Sequence, residues 1–79
     1  MSTPGSVLEA ARQQAGLSVA ELWVACYSLG STATEGELAG FLDGSRVPTS
    51  AEYNVVAQAI NERFSDIGQD HPVPYAEDF

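Results

Sequence analysis

Helix start signals recur at intervals along this sequence and leave little room for other secondary structure. Four hydroxyl residues are each followed three positions later by glutamate: Ser6 by Glu9, Ser18 by Glu21, Thr34 by Glu37, and Thr49 by Glu52. In such a capping box the hydroxyl accepts a hydrogen bond from an unpaired backbone N–H of the first helical turn. The glutamate in turn accepts one from the N–H of the cap residue. The sequence therefore indicates four helix starts.

Glycines supply the matching stop signals. The glycines Gly16, Gly30, Gly44 and Gly68 each stand just after a candidate helix. At this position the chain often takes a left-handed conformation that other residues avoid. Together the start and stop signals predict four helices, over about residues 7–15, 19–29, 35–43 and 50–67.

Apolar residues within these segments recur every three or four positions, which is the period of a helix with one buried face. The stripes comprise Leu8, Ala11 and Ala15; Val19, Leu22 or Trp23, Cys26 and Leu29; Leu38, Phe41 and Leu42; and Tyr53, Val56, Ala57, Ile60, Phe64 and Ile67. No segment alternates as a half-buried strand does. The pattern predicts an all-α fold, a compact bundle of about four helices. Gly36 and Gly40 make the third helix dependent on tertiary contacts.

A chain of 79 residues has room for one small core, so we expect a single helical domain over residues 1–79. Residues 1–5 are expected to form a flexible N-terminus. Residues 69–79 are expected to form an extended tail, because Pro72 and Pro74 favour extended backbone in the residues that precede them. The "PVPY" segment of this tail can fold back over the bundle or dock elsewhere, and the sequence leaves both open.

The sequence also bears on the cellular compartment. The single cysteine, Cys26, cannot form an internal disulfide, so nothing favours an oxidising environment. The N-terminus lacks the basic and apolar regions of a secretory signal. No apolar run approaches the roughly 18–20 residues that cross a bilayer. We expect a cytoplasmic protein that does not associate with membranes.

The charge balance limits the choice of partners. Eleven acidic residues stand against three basic ones, Arg12, Arg46 and Arg63, which gives a formal net charge of −8. The acids are spread along the chain, so neither half presents a basic face. Such a surface repels the phosphates of nucleic acids and membranes. The composition disfavours nucleic acid as a partner and favours another protein, with basic proteins among the candidates.

Three segments resemble a known DNA-binding skeleton. "ARQQAGLSVAEL", "ELAGFLDGSRVPT" and "YNVVAQAIN" are similar to the helices of the lambda-repressor-like helix-turn-helix family, over roughly residues 7–61. The resemblance implies a recognition helix at residues 35–43. That segment carries Glu35, Glu37 and Asp43 and no basic or amide side chain, whereas base and phosphate contacts depend on such groups. DNA binding as a dimer, or with a partner, is the alternative function.

A second resemblance covers more of the chain. The stretch "ELWVACYSLGSTATEGELAGFLDGSRVPTSAEYNVVAQAINERF", followed by "HPVPY", is similar to short acidic proteins of actinobacterial type. In these proteins the elements LW, LG, FLxG, NER and PVPY recur in the same order. The resemblance implies a self-contained small protein and assigns no activity and no functional residue.

The residues that could support catalysis or metal binding have simpler structural interpretations. Cys26 falls in an apolar stripe, where a cysteine is usually a small buried hydrophobe rather than a nucleophile. His71, the single histidine, lies near Asp66, Asp70, Glu77 and Asp78, but without the spacing of a metal-binding loop. No Ser/His/acid set and no phosphate-binding loop is present. We expect a protein that is not an enzyme and has no cofactor and no metal site.

The arginines outside the first helix have predicted local roles. Arg63 is expected to pair with Glu52, Glu62 or Asp66, or to lie near the C-terminus of its own helix, where a cation is favourable. Arg46 is expected to balance Asp43 in the turn that follows the third helix.

The predicted function is that of a non-enzymatic acidic regulatory or adaptor protein that acts through protein–protein interaction. Its candidate partner-binding residues are Trp23, Tyr27, Glu35, Glu37, Asp43 and Tyr75. For Trp23 core packing is the favoured interpretation, and for Tyr27 packing and partner binding are both open. A purely structural accessory protein and a phosphate-mimicking decoy for a DNA-binding protein are further alternatives. The sequence does not decide between a monomer and a homodimer.

Overall fold

A computed structural model describes residues 4–68 of the chain, which form four α-helices. Helix α1 spans Pro4–Ala15, α2 spans Val19–Ser28, α3 spans Glu35–Asp43 and α4 spans Ser50–Asp66. Residues 4–68 contain no β-strand. The predicted all-α bundle is confirmed. The extended tail predicted for residues 69–79 lies outside the described residues.

The capping boxes predicted for α2, α3 and α4 are all present. In each, the hydroxyl oxygen accepts a hydrogen bond from the backbone N–H three residues later, and that residue's carboxylate accepts one from the cap N–H. The distances for these two bonds are 3.1 and 2.9 Å at Ser18 with Glu21, 3.0 and 2.9 Å at Thr34 with Glu37, and 3.1 and 2.8 Å at Thr49 with Glu52. Two otherwise unpaired donors are therefore satisfied at each of these helix starts.

The start of α1 differs from the prediction. The helix begins at Pro4, so Ser6 lies inside it and does not cap it, and Glu9 bonds to Arg12 and Gln13 instead. Proline suits the first helical position because its missing N–H would have no helical partner there. The predicted flexible N-terminus of residues 1–5 is therefore wrong for Pro4 and Gly5, which are helical.

The predicted stop signals are confirmed. The four glycines that follow the helices all have positive φ: 71° at Gly16, 94° at Gly30, 86° at Gly44 and 72° at Gly68. Helices α2 and α4 each end one residue earlier than predicted, at Ser28 and Asp66.

The helices enclose one core. Helix α1 packs against α3 and α4, and α2 packs against the same two helices. Leu8, Leu22, Leu38 and Ile60, one from each helix, are the largest side chains that are fully buried. Each fully buried aliphatic side chain contributes roughly 1.5–3 kcal/mol through the hydrophobic effect. No polar or charged residue of the described chain is buried, so the core is held by apolar packing.

Gly5 allows α1 to approach α3 closely. A Cβ atom on Gly5 would overlap the backbone carbonyl oxygen of Phe41, and the α-carbon of Gly44 lies next to the same position. Only a residue without a side chain fits at this crossing.

Candidate functional site

Helix α2 carries apolar residues on its outer face as well as on its core face. Leu22 and Cys26 are buried, as predicted. Ala20, Val24 and Tyr27, spaced four and three residues apart, share the opposite side of the helix. Val24 is 55% exposed and Tyr27 is 67% exposed. These three residues, with Trp23 along one edge, are called here the outer face of α2.

Trp23 connects the outer face to the core. Its indole is half-buried and packs against the core residues, in agreement with the favoured interpretation. The indole Nε1 donates a 3.0 Å hydrogen bond to the carbonyl oxygen of Ala33, which holds the segment before α3 beside α2. The ring of Trp23 lies 5.9 Å from that of Tyr27, at an interplanar angle of 41°. The structure therefore brings the two aromatic residues together and leaves Tyr27 exposed.

Two exposed carboxylates, those of Glu21 and Glu35, are close in sequence to the residues of this face. Glu35 begins α3 two residues after Ala33 and is exposed, and its carboxylate forms no hydrogen bond or ion pair with another described residue. Glu21 follows Ala20 on α2 and is exposed. The backbone N–H of Ser18 lowers the pKa of Glu21 below its ordinary value, so this carboxylate is ionised at neutral pH.

The other two predicted acids have structural roles within the chain. Glu37 accepts from the backbone of Thr34 and contacts Arg46, whose Nη2 is 3.4 Å from its Oε2. Asp43 accepts a 2.8 Å hydrogen bond from the backbone N–H of Ser45. Hydrogen bonds from Thr34 lower the pKa of Glu37, and hydrogen bonds from Ser45 lower that of Asp43. The sixth candidate, Tyr75, lies outside the described residues.

The Arg12 guanidinium contacts both a carboxylate and a backbone carbonyl oxygen. Its Nε and Nη2 donate to the two carboxylate oxygens of Glu9 at 2.8 and 2.6 Å, and its Nη1 donates to the carbonyl oxygen of Leu17 at 2.6 Å. This bidentate pair lowers the pKa of Glu9 to about 2. The Leu17 contact ties the end of α1 to the link that precedes α2.

The ion pairs predicted for the other two arginines are wrong, but the alternative predicted for Arg63, a position near the C-terminus of its own helix, is confirmed. Arg63 lies in the last turn of α4, but its Nε donates to the carbonyl oxygen of Ala15 at 3.3 Å and no ion pair joins it to a described carboxylate. Arg46 contacts Glu37 rather than Asp43. The last carbonyls of a helix lack helical donors, and Ala15 ends α1, so Arg63 supplies a donor that α1 lacks.

Two surface clefts lie between the helices of the described residues. One, of about 430 Å³, lies between α1, the start of α2 and α3, and is lined by Glu9, Val19, Ala39, Leu42 and Asp43. Another, of about 330 Å³, lies between α2 and α4 and has Arg63 and Asp66 on its rim. Burial raises the pKa of the Cys26 thiol to about 11, which keeps it protonated at neutral pH. Within residues 4–68 no three His, Cys, Asp or Glu side chains lie close enough to hold a metal ion.

Of the residues on this face, Tyr27 and Trp23 were predicted from the sequence and Ala20 and Val24 were not. The signal was present in "VAELWVACY", where apolar residues occupy almost every position of one short helix. Such a helix has more apolar surface than a single core-facing stripe can account for.

Comparisons with known proteins add no relative: no protein-family model, no curated protein and no solved structure matches this chain. The two resemblances noted in the sequence stay predictions. In the part of the chain that the structure describes, no helix combines the length and the apolar character that a membrane span requires.

Proposed function

We propose that this protein is a non-enzymatic acidic regulatory or adaptor protein that binds another protein through the outer face of α2. The observation that carries the proposal is the exposure of Val24 and Tyr27 on the side of α2 that points away from the core. We place this activity in the cytoplasm, because the single cysteine is buried and needs no oxidising compartment.

The outer face has the character of a small recognition surface. Exposed apolar residues scattered singly are normal on proteins, but here Ala20, Val24 and Tyr27 adjoin one another and Trp23. Tyrosine and tryptophan are the residue types that most often dominate binding energy when a partner covers them. Helix α2 has ten residues, about 15 Å of helix, so the surface suits a modest, reversible contact.

The arginine contacts support a protein partner over DNA. A DNA-binding protein typically neutralises several phosphates, and most of its affinity depends on those contacts. This sequence has three arginines and no lysine, and Arg12, Arg46 and Arg63 each already contact a carboxylate or a helix-end carbonyl. Helix α3, at the position of a recognition helix, begins with Glu35 and ends with Asp43. A phosphate would therefore share these guanidinium groups with contacts that they already make within the chain.

A pull-down with matched surface variants tests the proposal. The baits are the wild-type chain, the double variant Val24→Ser/Tyr27→Ala, and Val47→Ser as control. Val47 is 84% exposed in the link before α4 and lies outside the outer face. We expect the wild type and Val47→Ser to retain one stoichiometric protein from an actinobacterial lysate after nuclease treatment, and the double variant to lose it.

Two results would contradict the proposal. Equal capture by the wild type and the double variant would mean that the outer face of α2 is not the binding surface. Recovery of DNA in place of protein would favour the helix-turn-helix alternative, and in that case Arg46→Ala with Arg63→Ala should abolish the DNA affinity.

A further inference from the structure

We infer that the partner segment that binds the outer face of α2 is an amphipathic helix with basic flanks, whose apolar stripe packs on Val24 and Tyr27. This inference rests on the proposed function and adds the chemistry of the partner. The arrangement of apolar and acidic residues around α2 carries it.

The outer face is a narrow apolar strip along one helix. The order around α2, which follows from the helical period, is Trp23, Tyr27, Ala20 and Val24, and then the exposed residues Ser28 and Glu21. The strip is about two helical turns long, from Ala20 to Tyr27. One partner helix with apolar residues three and four positions apart matches a strip of this length and spacing.

Glu21 is the acidic residue on one side of the strip, and Glu35 follows the segment that is bonded to the other side. Glu21 lies on the side of Val24, beyond Ser28 around the helix. On the other edge the hydrogen bond from Trp23 to Ala33 holds the segment that leads into Glu35. Both carboxylates are exposed and neither forms an ion pair with an arginine, although Glu21 accepts the capping hydrogen bond of Ser18 and the more distant charge of Arg63 contributes to lowering its pKa. A partner with lysine or arginine on either side of its apolar stripe complements this charge pattern.

A second copy of the chain complements the strip poorly. Each copy has a net charge of −8, and a symmetric contact through the strip would bring the Glu21 carboxylates of both copies toward one interface. Like charges facing each other across a contact oppose association. The charge pattern therefore favours a basic partner over self-association.

The test uses three synthetic helical peptides labelled with fluorescein. All carry leucines at the same positions, spaced three and four residues apart, and their flanking residues are lysine in the first, glutamine in the second and glutamate in the third. Fluorescence anisotropy gives the affinity for the intact protein. Emission from Trp23, the only tryptophan, reports whether the peptide binds near the outer face. We expect the lysine peptide to bind most tightly and the glutamate peptide most weakly.

Protein variants locate the contact. Val24→Ser should weaken binding of the lysine peptide about fivefold and Tyr27→Ala about tenfold or more, while Val47→Ser leaves it unchanged. Glu21→Gln with Glu35→Gln should weaken it roughly twofold to fivefold for each charge. Glutamine can still complete the capping box at Ser18, so α2 stays capped. Glu62→Gln with Asp66→Asn, which removes the same charge from α4, is the matched control.

The outcomes separate this inference from the proposed function. Equal affinity for all three peptides, or no binding of any of them while the pull-down succeeds, would overturn the basic helix and leave the protein-binding function standing. Equal effects of the two double charge variants would mean that net charge, and not the edges of the strip, controls binding. A dimer in sedimentation that Val24→Ser dissociates would assign the outer face to a second copy. Failure of the pull-down itself would instead contradict the proposed function.

Discussion

Gly5 and Gly36 both lie within helices, where glycine is usually unfavourable, but their surroundings differ. A Cβ on Gly5 would overlap the carbonyl oxygen of Phe41, a backbone atom that cannot rotate away. A Cβ on Gly36 would meet only the hydroxyl of Thr34, at 3.9 Å, which is ordinary contact. The two glycines therefore have different physical reasons to be there, although the sequence alone presents them alike.

The same substitution at these positions should have opposite effects on stability. Gly36→Ala should raise the free energy of unfolding by about 0.4–1 kcal/mol, because alanine loses less backbone freedom on folding. Gly5→Ala should lower it by about 1–3 kcal/mol, because α1 must move away from α3. Urea unfolding followed by circular dichroism measures both. A neutral Gly5→Ala would show that α1 does not need this close approach.

The pair formed by Glu9 and Arg12 should make stability depend on pH in the acid range. The folded pKa of Glu9 is about 2, against an ordinary value of 4.5. A lowered folded pKa means that the contribution is fully present above about pH 4.5 and is lost as the pH falls from there toward 2. Because the pair is partly exposed, we expect a contribution of about 1 kcal/mol.

Glu9→Gln isolates this contribution. The wild type should be more stable than the variant by about 1 kcal/mol at pH 7, and the difference should shrink steadily below pH 4.5. Urea titrations at several pH values measure it, with Glu62→Gln on the exposed surface of α4 as the control. A difference between wild type and Glu9→Gln that stays constant down to pH 2 would mean that the charge of Glu9 is not its source.

Helix α3 is the element that depends most on its cap. It has nine residues, two of which, Gly36 and Gly40, are poor helix formers. Isolated helices of this length are not stable in water, so α3 relies on its packing and its ends. The capping box of Thr34 and Glu37 satisfies two backbone donors at one end, and Gly44, in the left-handed conformation, ends the helix at the other.

Thr34→Ala should therefore destabilise α3 selectively. The expected loss is about 1 kcal/mol, which is typical when a hydroxyl cap is removed. Amide hydrogen exchange should become faster in the first turn of α3, near Glu37, and less so in α1. Thr32→Ala, at an exposed position in the link before α3, is the control. Uniform acceleration across all four helices would mean that α3 opens only when the whole domain unfolds.

The helices could be predicted from the sequence because their signals are local. Each cap, stop glycine and apolar stripe depends on residues within a few positions of one another, and three of the four predicted capping boxes are present. The box predicted at Ser6 failed because Pro4 provides an earlier start. Contacts between distant residues could not be predicted in the same way, since they depend on how the helices cross. The bond from Arg63 to Ala15 joins residues 48 positions apart.

In the candidate site, too, the local features could be predicted from the sequence and the long-range contacts could not. The apolar character of α2 is visible in its sequence, but a helical pattern does not say which apolar side stays uncovered. That choice follows from where α3 and α4 pack on α2, and their packing leaves Val24 and Tyr27 outside. The position of Ala33 beside Trp23 likewise depends on a hydrogen bond across ten residues.

The acidity of the whole molecule should lower its stability at low salt. Eleven acids and three arginines give a net charge of −8, and the described part of the chain measures 31 × 27 × 19 Å. At 0.01 M salt the screening length is about 30 Å, so every carboxylate repels every other across the domain. At 0.1 M it is about 10 Å, so only near neighbours interact. Repulsion within the compact state opposes folding.

Raising sodium chloride from 0.01 to 0.2 M at pH 7 should therefore raise the free energy of unfolding, by an amount on the order of 1 kcal/mol. Urea unfolding at each salt concentration measures it. The same series at pH 4, close to the isoelectric point of about 4.1, is the control and should show little effect. A fall in stability with salt at pH 7 would mean that the capping carboxylates and the Arg12 pair outweigh the repulsion. A rise in the free energy of unfolding with salt would mean that the net charge destabilises the free protein. A cationic partner bound at Glu21 and Glu35 would then remove part of this destabilisation.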